Sequence, residues 1–233
     1  MPTLLCIHGW PMSSATFSSL ADELSEISVV APNLPGFGAT TSDGCGHSLA
    51  DYAEYICEIA DGIDGDVHLV GLSMGGKIAM QVAASQPTWL RSLILLAPSY
   101  PDATIVGPDA VAAQLAAYGD PDALKALVNG WANDTSPLVE WALQASADAY
   151  GCWLTAGRPA DISNIVKNIE VPTLVLHGAN DPLRTAAGLM ERVVDRIACS
   201  ELRVVNGASH CIQMDQPHET ALVIREWLGR QRG

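Results

Sequence analysis

Basic residues are scarce in this chain of 233 residues, which has 12 Lys and Arg against 26 Asp and Glu and a formal charge of −14. No run of Lys or Arg interrupts the acidic balance, so a phosphate backbone would be repelled. Long apolar runs are absent too, because no stretch approaches the roughly 20 residues that a membrane span needs. We therefore expect neither nucleic acid nor a membrane as a partner.

Paired cysteines are also lacking, since none of the six stands in a C-x-x-C arrangement. A zinc site would need paired Cys or His spacing, so no metal is expected. The first twelve residues have neither the basic n-region nor the long apolar h-region of a secretory signal. We predict reduced cysteines and a cytoplasmic location.

What the chain does have is an alternation of short apolar runs with longer helical patterns. Its 48% hydrophobic content and its length suit one domain with a full core. Strands are predicted at 3–7, 28–31, 67–72, 93–97, 173–176 and 202–205. Helices are predicted at 15–24, 49–63, 74–85, 186–197 and 219–228. This order is typical of an α/β fold, and the near-continuous hydrophobicity of the strands indicates a parallel sheet covered on both faces.

The alternation stops between residues 98 and 161, where short helices and no strand are predicted. We interpret this segment as a helical cap insertion over the carboxyl ends of the strands, where open α/β sheets bind ligands. The predicted core then comprises residues 1–97 and 162–233. Four aromatic residues of the insertion are candidates for the wall of a substrate pocket, with packing in the core as the alternative: Tyr118, Trp131, Trp141 and Trp153.

The turn after the third predicted strand fits two motifs. Gly71 to Lys77 matches the start of a phosphate-binding loop, but Ile78 stands where that loop needs Ser or Thr. Gly71 to Gly75 matches G-x-S-x-G, the nucleophile elbow, in which a serine sits on a sharp turn between a strand and a helix. The second match predicts Ser73 as a nucleophile.

A serine nucleophile needs a base and a group that orients the base, here expected in the order Ser, Asp, His. Asp181 follows the fifth predicted strand and His210 follows the sixth. Loops after parallel strands open on the same edge of a sheet, so both residues can reach Ser73. Asp102, in the loop after the fourth strand, is the alternative acid.

Backbone amides are the expected oxyanion donors, and we nominate those of Trp10 and Met74. His8 is expected to be structural, through a hydrogen bond to a neighbouring loop. Lys77 is expected to be a solvated residue on the helix that follows the elbow. Cys211, beside the candidate base, is expected to pack in the core.

Five motifs resemble the α/β-hydrolase superfamily in order and spacing: HGW at 8–10, NLPGFGAT at 33–40, GLSMGG at 71–76, HGAND at 177–181 and GASH at 207–210. The chain looks like the small bacterial carboxylesterases, including those that demethylate pimeloyl carrier-protein esters. Such proteins usually begin with a β-hairpin, whereas this chain starts on the HG-bearing strand. The resemblance therefore implies a mostly parallel sheet of about six strands with a triad of Ser73, Asp181 and His210.

A serine nucleophile predicts hydrolysis through an acyl-enzyme without a cofactor. The short insertion favours short-to-medium esters, small molecules or esters bound to an acyl carrier. Two other bonds stay open as alternatives, namely a lactone and the carbon–carbon bond of a meta-cleavage diketone. The diketone is disfavoured because its acidic tail calls for cations, and the insertion has only Lys125 and Arg158. A ligand-binding receptor on the same fold is the non-enzyme alternative.

Overall fold

A computed structural model of the chain describes residues 2–38 and 47–231. Its strands are β1 (Thr3–Ile7), β2 (Ser28–Val30), β3 (Val67–Leu72), β4 (Leu90–Leu96), β5 (Thr173–Gly178) and β6 (Ser200–Val205). They form one sheet in the order β2-β1-β3-β4-β5-β6, and every neighbouring pair is parallel. The predicted six-stranded parallel sheet is confirmed.

Helices connect the strands and flank the sheet. The α-helices of the described residues are α1 (Ser18–Glu23), α2 (Leu49–Asp61), α3 (Met74–Ala84), α4 (Pro108–Ala116), α5 (Pro121–Leu127), α6 (Ser136–Gln144), α7 (Ala147–Cys152), α8 (Ala186–Arg192), α9 (Ile212–Asp215) and α10 (Pro217–Arg230). Short 3₁₀ turns occur at Ser14–Phe17, Val166–Asn168 and Val194–Arg196, and a π turn at Trp153–Gly157 follows α7.

Most predicted elements are present with shifted ends. The helix predicted at 186–197 divides at Val193, because α8 stops at Arg192 and a separate 3₁₀ turn follows. Two adjacent valines, at 193 and 194, are β-branched residues that disfavour a continuous helix. The helix predicted at 219–228 instead begins earlier, at Pro217, since proline suits the first helical position.

Burial of the strands depends on their place in the sheet. Every residue of β1, β3 and β5 is buried, as the hydrophobic runs predict. The edge strands differ, because β2 has no buried residue and β6 has only Val205 buried. An edge strand has a neighbour on one side only, so its side chains meet solvent that the inner strands exclude.

The segment between β4 and β5 contains α4 to α7 and, within its described residues, no strand. Hydrogen bonds join it to loops that follow three different strands. Ser146 N donates to Gly36 O at 2.7 Å, after β2, and Cys211 N donates to Trp131 O at 2.8 Å, after β6. The indole N–H of Trp10, after β1, donates to Tyr150 O at 3.0 Å. The segment therefore lies over the carboxyl ends of the strands.

No helix of residues 2–38 and 47–231 is both long enough and apolar enough to cross a membrane. The described cysteines form no disulfide with one another. Cys45 and the last two residues of the motif at 33–40 lie outside the described residues.

Candidate active site

Ser73 stands in the turn between β3 and α3 with a φ of 52° and a ψ of −110°. A positive φ is uncommon for a residue with a side chain and persists only where its surroundings hold it. Here the Ser73 amide donates to Leu96 O at 3.0 Å, and the Ser73 carbonyl accepts from the amides of Gly76 and Ser99 at 3.0 and 2.9 Å. This geometry is that of a nucleophile elbow, and it leaves Ser73 partly exposed although its neighbours are buried.

Two glycines permit the turn because backbone atoms approach them closely. A Cβ on Gly71 would lie 2.4 Å from Gly75 O, and a Cβ on Gly75 would lie 2.2 Å from Ile7 O. Any side chain at either position would push α3 away from β3 or from β1. The glycines thus bring the N-terminal end of α3 against the loop that follows β1, where Gly9 adjoins Ser73.

Asp181 and His210 lie in the loops after β5 and β6 and meet each other. His210 Nδ1 lies 2.9 Å from Asp181 Oδ2, and both side chains are almost fully buried. The two loops pack without a gap, since a Cβ on Gly178 would lie 2.0 Å from Ser209 O. Close packing of these loops therefore fixes the orientation of the His210 ring.

The environment of Asp181 favours its ionised form. Burial alone would raise the pKa of this carboxyl, but the hydrogen bond with His210 and the amides of Leu183 and Arg184 outweigh it, and the pKa is lowered. An ionised Asp181 accepts a hydrogen bond from Nδ1–H of His210, and Nε2 is then the ring nitrogen that carries the free lone pair.

Asp102, the alternative acid, is engaged elsewhere. Its carboxylate pairs with Arg192 Nε at 2.7 Å and also with Arg196. The structure therefore joins Asp181, and not Asp102, to His210.

Nε2 of His210 is buried and makes no hydrogen bond within the described part of the chain. The structure therefore does not bond it to the Ser73 hydroxyl. Such bonds are often long in a free enzyme and tighten only with substrate. Trp131 packs its ring edge against the His210 ring with 5.9 Å between centroids, and Trp131 and Ser73 line the same cavity.

That cavity has a volume of about 220 Å³ and contains three tryptophans, Trp10, Trp131 and Trp153. Two of the four predicted pocket residues thus line it. Trp141 and Tyr118 do not: the Tyr118 hydroxyl donates to Ala145 O at 2.8 Å and its ring packs on another tyrosine. Seven lining residues were not predicted from the sequence: Ser99, Thr104, Val106, Gln114, Arg158, Leu183 and Arg184.

The nominated oxyanion amides lie on the two sides of Ser73. Met74 begins α3, where the first amides have no acceptor within the helix. The Trp10 amide belongs to the loop after β1, directly beyond Gly9. Neither amide takes part in the backbone hydrogen bonds of the described turns, loops and caps.

Lys77 contradicts its prediction, because it is fully buried instead of solvated. Its ammonium donates to three carbonyls, those of Asp102 at 3.3 Å, Arg158 at 3.1 Å and Ala160 at 2.5 Å. The first lies at the start of the insertion and the other two at its end. We call these three carbonyls and Lys77 the neck of the insertion. The sequence contained a signal for this burial, since α3 is largely apolar on all sides and a helix of that kind is a buried one.

Two further single-residue predictions are confirmed. His8 Nε2 accepts a hydrogen bond from the Leu34 amide at 3.0 Å while Nδ1 lies 2.9 Å from Gly9 O. Burial lowers the pKa of His8 to about 4, so the ring stays neutral and structural. Cys211 is fully buried in the core, where burial raises the pKa of its thiol.

Among residues 2–38 and 47–231, no group of three or more His, Cys, Asp or Glu could hold a metal ion. The chemistry that this arrangement can perform is nucleophilic, with a serine on a strained turn at a cavity and a nearby histidine held by a carboxylate.

The parallel sheet and the turn at Ser73 define an α/β-hydrolase fold. The chain belongs to the alpha/beta hydrolase family, which it matches over residues 4–222.

Similar proteins agree with this assignment. A pimeloyl-acyl-carrier-protein methyl ester esterase of Aeromonas salmonicida is 28% identical over 253 residues, covering 98% of this chain and 96% of the relative. Lipase LipV of Mycobacterium tuberculosis is 29% identical over 254 residues, covering 97% and 93%. An esterase from Exiguobacterium antarcticum superposes with a TM-score of 0.87 at 22% identity, covering 98% and 92%. Along nearly its whole length the chain is thus similar to ester-hydrolysing enzymes.

Proposed function

We propose that the chain is a serine hydrolase of carboxylic esters in which Ser73 is the nucleophile, His210 the base and Asp181 the group that orients the base. The observation that carries this proposal is the shared placement of the three residues. Ser73 stands on a strained turn at a cavity, and Trp131 of that cavity packs on the ring of a histidine already bonded to Asp181.

The reaction follows from these positions. Nε2 of His210 takes the Ser73 proton while Oγ attacks the ester carbonyl, and the imidazolium is stabilised by Asp181. Collapse of the tetrahedral intermediate breaks the bond to the alkoxide, which leaves with the proton from Nε2. Water then attacks the acyl-enzyme with His210 as base again, releasing the acid and restoring the Ser73 hydroxyl.

The amides of Trp10 and Met74 bind the oxyanion in this proposal. Met74 directly follows Ser73, Trp10 directly follows Gly9 beside Ser73, and neither amide takes part in the backbone hydrogen bonds of the described turns, loops and caps. Loss of one such donor typically costs about 10²–10³-fold in kcat. Because the donors are main-chain groups, substituting the side chain of Trp10 or Met74 leaves the N–H group in place and tests this role only indirectly.

Short esters fit the cavity best. Its volume of about 220 Å³ is below the roughly 300–1,000 Å³ usual for ligand pockets. We keep the division into a core (1–97 and 162–233) and a cap (98–161) as part of the proposal, since seven residues that line the cavity come from that insertion: Ser99, Thr104, Val106, Gln114, Trp131, Trp153 and Arg158. An ester presented by an acyl carrier stays a candidate because one relative carries that name.

A carbon–carbon hydrolase is the second candidate, and one observation favours it. Arg184 lines the cavity beside Arg158, although it lies outside the insertion. The count of cations in the insertion, Lys125 and Arg158, therefore leaves out one arginine that lines the cavity. Ester hydrolysis is preferred because two relatives that match over nearly their whole length are an ester hydrolase and a lipase by name.

Turnover and labelling test the proposal together. We expect Ser73→Ala to abolish hydrolysis of p-nitrophenyl acetate and butyrate and to prevent labelling by a fluorophosphonate. Ser85→Ala, at the far end of α3 and exposed, is the matched control and should behave as wild type. Labelling at another residue, or an active Ser73→Ala enzyme, contradicts the assignment. A single stoichiometric burst without turnover indicates a receptor, and a hundredfold preference for a dienoic diketone indicates the carbon–carbon hydrolase.

A further inference from the structure

The arginines of this acidic chain divide into two groups. Six of the eight described arginines pair with a carboxylate: Arg91, Arg192, Arg196, Arg203, Arg225 and Arg230. The remaining two, Arg158 and Arg184, have no carboxylate partner among the described residues, and both line the cavity that contains Ser73. In a chain with 26 acidic residues and 12 basic ones, two unneutralised guanidinium groups at one cavity call for an explanation.

Arg184 is held in place by neutral acceptors only. Its Nε donates to Pro98 O at 2.9 Å, and its two terminal nitrogens donate to Leu183 O at 2.8 Å and Ser99 Oγ at 3.1 Å. A guanidinium has five N–H donors, so these bonds leave two of them unused. Burial lowers the pKa of Arg184, yet the group stays charged because arginine is always protonated in proteins.

Arg158 has even more hydrogen-bond donors without an acceptor. One terminal nitrogen donates to Gln114 Oε1 at 2.8 Å, and Nε is buried without a partner among the described residues. An unsatisfied buried donor destabilises the folded state, and more so when it is charged. Burial and the charge of Arg184 both lower the pKa of Arg158, so both disfavour its charged form in the folded chain.

We propose that these two arginines bind a carboxylate of the substrate, so that the preferred substrates are short esters carrying a second, anionic group, such as monoesters of dicarboxylic acids. This inference rests on the proposed function, because it assigns the ester group to Ser73. Arg158 brings a guanidinium to the cavity wall, and a guanidinium is the group that binds a carboxylate through charge-assisted, often paired hydrogen bonds. Arg184 adds a second charge, which attracts an anion that the rest of this acidic chain would repel.

The size of the cavity limits the length of such a substrate. At roughly 20–30 Å³ per heavy atom, a volume of about 220 Å³ accepts on the order of ten heavy atoms. Monomethyl glutarate is of that size and carries an ester and a carboxylate at its two ends. Arg158 also lines a second cavity, of about 410 Å³, that shares Thr104 and Val106 with the first, so longer acids have room beyond this arginine.

The test compares monomethyl glutarate with its neutral isostere, methyl 5-amino-5-oxopentanoate, in which an amide replaces the carboxylate. We expect wild-type kcat/KM to favour the acid by about tenfold or more. Arg158→Gln should reduce that ratio at least tenfold, and Arg158→Lys should restore part of it by returning the charge without the fork. Arg91→Gln removes the same charge at a surface ion pair and should leave the ratio unchanged. A wild-type ratio near one, or an Arg158→Gln variant that lowers both rates equally, overturns the inference.

Binding of glutarate to Ser73→Ala separates this inference from the proposed esterase activity. Calorimetry should show binding that is lost on adding Arg158→Gln, with a change in tryptophan fluorescence because Trp131 and Trp153 line the cavity. Binding without any ester turnover in the wild type supports the anion site and refutes the esterase. Turnover of both esters at equal rates without glutarate binding refutes the anion site alone, and the absence of turnover and binding refutes both.

Discussion

Replacing Lys77 by methionine tests the charge that the chain holds in its interior. The ammonium is fully buried and bonded only to the carbonyls of the neck. Burial lowers the pKa of Lys77 from 10.5 to about 8. The Asp161 and Asp102 carboxylates raise this pKa, whereas the charges of Arg184 and Arg192 lower it further. The charged form is thus less favourable in the folded chain than in the unfolded one.

The size and sign of the effect follow from this difference. Since one pKa unit corresponds to about 1.4 kcal/mol, charging Lys77 costs the folded state about 3 kcal/mol relative to the unfolded state. Between pH 8 and pH 10.5 the unfolded chain binds the proton and the folded chain has released it, so the contribution of Lys77 to stability rises with pH. Below pH 8 both states are protonated and the contribution is constant.

Urea unfolding at pH 7.0, 8.5 and 10.0 measures this contribution. We expect the free energy of unfolding of the wild type, relative to Lys77→Met, to increase by about 2–3 kcal/mol from pH 7.0 to 10.0. Taking the difference removes the titration of buried tyrosines and cysteines, which both proteins share. Lys125→Met, the same substitution at an exposed position, should show no such trend. A difference that is flat or falls with pH would show that the interior does not disfavour the ammonium.

Four other substitutions test the site, the Asp102 ion pairs and the turn. Asp181→Asn should lower kcat by about 10³–10⁴-fold because the His210 ring loses its ionised partner, whereas Asp102→Asn should keep kcat within about threefold; steady-state kinetics decides between them. The pKa of Asp102 is lowered because its hydrogen bonds with Arg192 and Arg196 outweigh burial. Its contribution to the free energy of unfolding is therefore present above about pH 4 and is lost as the pH falls. Unfolding measured at acid pH should show a smaller loss of stability for Asp102→Asn than for the wild type. Gly75→Ala should destabilise the fold by about 3 kcal/mol or more, while Gly107→Ala, with nothing within 4 Å, should stay within about 1 kcal/mol by thermal unfolding.

The parts of the site that the sequence predicted are those fixed by local chain geometry. Ser73 needs a turn that only glycines at 71 and 75 permit, and this requirement is written in adjacent residues. Asp181 and His210 follow strands of a parallel sheet, and the rule that such loops share an edge brings them together. Strand order and spacing therefore sufficed for these positions.

The parts that the sequence did not predict depend on where the insertion packs. Lys77 is buried because both ends of the insertion cross over α3, and no local pattern fixes that crossing. Arg184 reaches the cavity because its side chain donates hydrogen bonds to Pro98 O and Ser99 Oγ instead of extending into solvent. Tyr118 and Trp141 were candidates by composition, but the helices that carry them direct them elsewhere. Tertiary packing decided each of these positions.

The neck has a consequence for the origin of new enzymes on this scaffold. Because one amine binds the carbonyls of Asp102, Arg158 and Ala160, the two ends of the insertion leave the core at nearly the same place. For a loop with fixed ends, each doubling of length costs only about 0.6 kcal/mol in closure entropy. The helices between these anchors can therefore be exchanged for longer or shorter ones by recombination, and chimeras joined at the neck would acquire a different cavity wall while inheriting an undisturbed turn at Ser73.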